Sequence, residues 1–95
     1  MQLPEISQYP KTINIGHEEY TIRFVNVIDR DPKTLGSCDS SGIIRIKRGL
    51  SKAETFKTLI HEVLHAIEYV YELKIDHQLI HKLEGPIVDL LMTNF

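Results

Sequence analysis

Ninety-five residues, 42% hydrophobic and 25% charged, make one compact domain with a single core and exclude both a disordered segment and a two-domain enzyme. A formal net charge of −2, with the basic residues scattered along the chain, supplies no electrostatic footprint for nucleic acid or for an anionic membrane surface. The lone cysteine, Cys38, precludes an internal disulfide, and no apolar run has membrane-spanning length. The N-terminus also lacks the basic and apolar regions of a signal peptide, so a reducing, cytoplasmic setting is expected.

Residues 1–11, broken by Pro4 and Pro10, read as an extended N-terminal arm, and residues 12–48 as a sheet. Residues 12–15 and 19–27 alternate polar and apolar around Gly16-His17-Glu18, the pattern of a β-hairpin with Tyr20, Ile22 and Phe24 on one face. His17 at its turn is a solvated loop histidine. Asp29-Arg30-Asp31-Pro32-Lys33 is a polar loop. Residues 35–39 then form a short strand, Ser40-Ser41-Gly42 a turn, and residues 43–47 a half-buried strand with Ile44 and Ile46 inward.

A long helix over residues 51–72 opens on Ser51-x-x-Glu54, a capping box, and carries Phe56, Leu59, Ile60, Val63, Leu64, Ile67 and Val70 at helical spacing. A second helix over residues 76–94 is capped by Asp76 and kinks or restarts at Gly85-Pro86, where proline removes an amide donor. Its expected core face is Leu79, Ile80, Leu83, Ile87, Leu90 and Leu91, while His77, His81 and Glu84 share another face. The expected class is α+β: one domain over residues 1–95, with a three- to four-stranded twisted sheet packed on the first helix and a second, C-terminal helix.

Within the first helix stands His61-Glu62-x-x-His65. Four residues advance a helix by about 400°, so both imidazoles lie on one face and can reach a single ion. Glu62 points about 100° away from His61, flanking the ion without binding it. There it can take a proton from a water that zinc has acidified to a pKa of about 7. Helical histidines more often cap, pair or face solvent, but a mid-helix H-E-x-x-H with apolar Val63 and Leu64 at the free positions points to Zn2+. A catalytic zinc needs a third protein ligand. The metzincin pattern would place glycine and histidine where Glu68 and Tyr71 stand, so it does not apply. Glu68, one turn past His65, is better placed to support a ligand than to be one. His77, His81 and Glu84 remain as candidates.

This arrangement resembles the gluzincins, in which a glutamate on a following helix, some twenty residues past the motif, completes the site. The strand, the Ser51-x-x-Glu54 cap and the run Leu-Ile-His-Glu-Val-Leu-His-Ala-Ile-Glu-Tyr are similar to the small single-domain metallopeptidases called minigluzincins and to related phage-type zinc peptidases. The likeness covers residues 35–91. It implies a small zincin-like fold, with Glu84 as third ligand beside His61 and His65 and with Glu62 as general base for hydrolysis of a peptide or protein substrate. It also implies an edge strand above the metal that pairs with substrate, a place residues 35–39 can fill. The oxyanion donor would come from His77, His81, Tyr69 or Tyr71, and Cys38 on that edge strand could hold zinc in a latent form. A noncatalytic zinc-stabilised binding or regulatory module, or a latent protease that needs activation, are the alternative functions.

Overall fold

The computed structural model describes residues 1–95. Four strands, β1 (Thr12–Ile15), β2 (Glu18–Val25), β3 (Gly36–Asp39) and β4 (Ile43–Lys47), form one mixed sheet in the order β1-β2-β4-β3. β1 and β2 are an antiparallel hairpin in which Ile15 pairs with Glu18, so the turn is Gly16-His17, and Gly16 supplies the left-handed φ of +61° that a tight connection needs. β3 and β4 are a second antiparallel hairpin. The two meet in a parallel seam between β2 and β4, with Ile22 beside Ile44 and Phe24 beside Ile46. β4 is an inner strand and β3 is left at the edge.

Alternation decides which face is buried. Ile44 and Ile46 point inward with no exposed surface, and Ile15, Tyr20 and Ile22 join them from the hairpin. Helix α1 (Lys52–Val70) covers this face with Leu59 and Ala66. Burying each isoleucine or leucine here contributes about 1.5–3 kcal/mol. Ser51 caps α1 by accepting from the Glu54 amide at 3.1 Å, while the return bond expected from the Glu54 side chain does not form.

Helix α2 (His77–Asn94) runs unbroken through Pro86, so the expected restart does not occur. Asp76 caps it through the Gln78 amide at 3.0 Å. The expected core face is corrected more heavily: Ile80 is fully buried, but Leu79, Leu83 and Leu90 are 47%, 38% and 58% exposed. The reason is that α2 packs on α1 and not on the sheet, so one neighbour shields only a narrow stripe of it. The arm is also less extended than expected. Ile6–Gln8 form a 3-10 turn, Tyr9 packs against Phe24 with ring centroids 5.6 Å apart, and the Met1 amino group donates to the Met92 carbonyl at 3.0 Å. In the polar loop after β2, Ile28 is 1% exposed and pins the loop to the body. No helix is long and apolar enough to cross a membrane.

Candidate metal centre

The centre of α1 presents two faces to two neighbours. His61 and His65 face α2, and the contacts pair the helices antiparallel: His65 meets His77, whereas His61 meets His81 and Glu84. Glu62 turns toward β3 and is buried, at 7% exposure. β3 comes this close only because residue 36 is glycine. A Cβ there would lie 2.6 Å from Thr58 Cγ2 and 2.9 Å from Glu62 Oε2, closer than real Cβ contacts allow. An open cleft of about 380 Å³ results, lined by Leu35, Gly36, Thr58, His61, Glu62, His81 and Glu84 among others.

Five ligand-capable side chains gather beside it. One group is His61, His65 and His77; another is His61, His81 and Glu84; within each, the candidate ligand atoms lie within 4.8 Å of one another. His61 belongs to both because its two nitrogens face opposite ways. Nδ1 lies 2.5 Å from Glu84 Oε2, and Nε2 lies 3.2 Å from His65 Nε2. His65 repeats the pattern with Nδ1 3.4 Å from Glu68 Oε1, while Glu68 Oε2 accepts from the Ile75 amide at 3.0 Å. Of the expected trio, His61 meets both His65 and Glu84 but through opposite ring nitrogens, and no single ligand-capable group holds all three.

The chemistry of this donor set fits zinc. Two nitrogens on one tetrahedral zinc, each at about 2.05 Å, are about 3.3 Å apart. The separation of the two Nε2 atoms is 3.2 Å. Carboxylates on the opposite ring nitrogens are the usual support for metal-binding imidazoles. Burial pulls the His61 pKa down, against the pull of Glu84 in the other direction, which favours the neutral ring a metal requires.

Glu62 is shifted the other way. Burial first, and the Glu84 carboxylate second, push its pKa up to about 7. In metal-free protein its charged form is therefore a burden that grows as pH rises. A folded pKa above the unfolded value gives stability that is fully present below pH 4.5 and is lost as pH climbs through about 7. The shift corresponds to about 3 kcal/mol. Metal-free Glu62→Gln, which carries no charge, is expected to exceed the metal-free unmodified protein by about that much at pH 8 and to converge with it toward pH 5, as measured by urea unfolding.

Other expected participants lie elsewhere. The Tyr71 hydroxyl is beside Gly16 at the β1–β2 turn, and Tyr69 lines a separate surface hollow with His17 and Tyr20, so neither is an oxyanion donor at this centre. Cys38 packs against the core, and burial, reinforced by Glu62 and Asp39, pushes its thiol up to about 12. Cys38 belongs to neither ligand-capable group, so the latency role has no support in the geometry. Gly36 was not legible as a site residue, because nothing in a strand's own sequence reports how near a helix will pass. In comparisons with family models, curated proteins and solved structures no match to this chain is found, so the geometry of the centre carries the functional argument.

Proposed function

We propose that the protein is a zinc-dependent peptidase in which His61 and His65 hold the ion together with a ligand from α2, and Glu62 is the general base. The observation that carries this reading is the pair of Nε2 atoms 3.2 Å apart, with Glu62 lining the cleft beside them. When bound, zinc would acidify the attacking water and polarise the scissile carbonyl. Glu62, buried and lining the cleft beside the imidazoles, is placed to accept the water's proton and then deliver it to the leaving amine. Two features support a peptide substrate. β3 is an edge strand whose outer hydrogen-bonding groups are open to β-augmentation, and Gly36 at its start lines the cleft. His81, which also lines the cleft, is the donor best placed for the developing oxyanion.

The expected result is that zinc-loaded protein cleaves an unfolded protein substrate, that a chelator stops cleavage, and that added zinc restores it. A second reading has its own observation. The cluster holds more imidazoles than an open catalytic site needs, and four protein ligands would close the sphere as in structural zinc sites. That is a noncatalytic zinc-stabilised binding module, and stoichiometric zinc without any cleavage would select it.

A further inference from the structure

We infer that His77 is the α2 ligand to the metal, and that Glu84 and Glu68 act as positioning residues that orient His61 and His65 through their Nδ1 atoms. The inference rests on the metal-binding reading above and deepens it. A neutral imidazole has one N–H and one lone pair. With Nδ1–H of His61 donated to Glu84 Oε2, its Nε2 turns a lone pair toward His65 Nε2 at 3.2 Å, and a cation bound there would hold His65 in the matching tautomer, with Nδ1–H on the side of Glu68 3.4 Å away. That gap is the separation two nitrogens take on one tetrahedral zinc, so a cation would replace the proton that bridges them. His77 is the third nitrogen donor on that side. Its ring stacks on His65 at 5.2 Å and meets His61 edge-on at 5.4 Å, and its ligand atom falls within 4.8 Å of those of His61 and His65. Glu84, by contrast, engages Nδ1 of His61 through one oxygen and stands 3.5 Å from His81 Nδ1 through the other.

The chain before His77 is fixed by the same device. Glu68 pairs with His65 through one oxygen and receives the Ile75 amide through the other, so a single carboxylate orients one ligand and anchors the start of the helix that carries the next. Asp76 then caps α2, which makes His77 its first residue. The backbone at His77 is therefore fixed, and its exposed ring meets the imidazoles of His61, His65 and His81.

Cobalt(II) replaces zinc as a spectroscopic probe, read beside zinc affinity and thermal melting for each variant. His77→Ala is expected to lower zinc affinity by about 10²–10³-fold and to change the visible cobalt spectrum. Glu84→Gln and Glu68→Gln are expected to keep the unmodified spectrum and lose about 10–100-fold in affinity. His77→Cys is expected to add a sulfur-to-cobalt charge-transfer band, which arises only if position 77 binds the ion. Absence of that band, or a cobalt spectrum altered by Glu84→Gln and untouched by His77→Ala, overturns the inference and makes Glu84 the ligand. The metal reading itself fails on a different result, namely full zinc affinity after His61→Ala.

Discussion

Glu62→Gln is expected to lower peptide cleavage by about 10²–10⁴-fold, the range for removing a general base, while zinc content stays at that of the unmodified protein. Glutamine matches glutamate in size, so the close packing against Gly36 and Thr58 survives. It cannot accept a proton. Glu62 belongs to neither ligand-capable group, which is why the metal should stay. The exchange also removes the repulsion between Glu62 and Glu84, so the folded protein gains rather than loses stability. Cleavage kinetics beside metal analysis of the same sample test the point. Undiminished cleavage would remove Glu62 from the reaction, and loss of zinc would make it a ligand.

His61→Ala is expected to lower zinc affinity by at least about 10²–10³-fold. His61 is the one side chain shared by both groups, and it alone has both nitrogens engaged with other members of the cluster. Zinc bound by a small domain yields about 10–16 kcal/mol, so one of three or four ligands accounts for about 3–4 kcal/mol, or 10²–10³ in affinity. Loss of the ring also leaves Glu84, buried at 8% exposure, with only His81 at 3.5 Å for a partner, which adds to the cost. Metal titration followed by calorimetry gives the affinity directly, and the rise in melting temperature on adding zinc should shrink with it. Stoichiometric zinc bound by His61→Ala at unmodified affinity would contradict the assignment.

Local patterns made most of the architecture legible. Alternation at Ile44 and Ile46, the glycine turn at Gly16, and the caps at Ser51 and Asp76 each act within a few residues, and each element formed where its pattern lies. The ends of elements shifted by only one or two residues, as at β2, because strand pairing rather than propensity ends a strand. What the sequence could not report is what packs on what. Leu79, Leu83 and Leu90 have helical spacing, but periodicity cannot tell whether a second layer exists to cover them. The same limit applies to the centre. The spacing of His61, Glu62 and His65 specified which side chains share a face, and the second helix brought His77, His81 and Glu84 to them as its periodicity suggested. Which ring nitrogen meets which carboxylate depends on side-chain torsions and the offset between two helices, and neither has a sequence signature.

The sparse burial of α2 bears on how the molecule breathes. With Ile80 and Glu84 its only buried residues, this helix has little apolar area holding it to α1, and segments of that kind open well below the free energy of global unfolding. The imidazoles and carboxylates that join α1 to α2 lie across that weak boundary, so ligation and docking of the helix are one equilibrium. Amide hydrogens of α2 should therefore exchange quickly in metal-free protein and slow on addition of zinc, while those of β4, beneath α1, remain at the slow rate in both states.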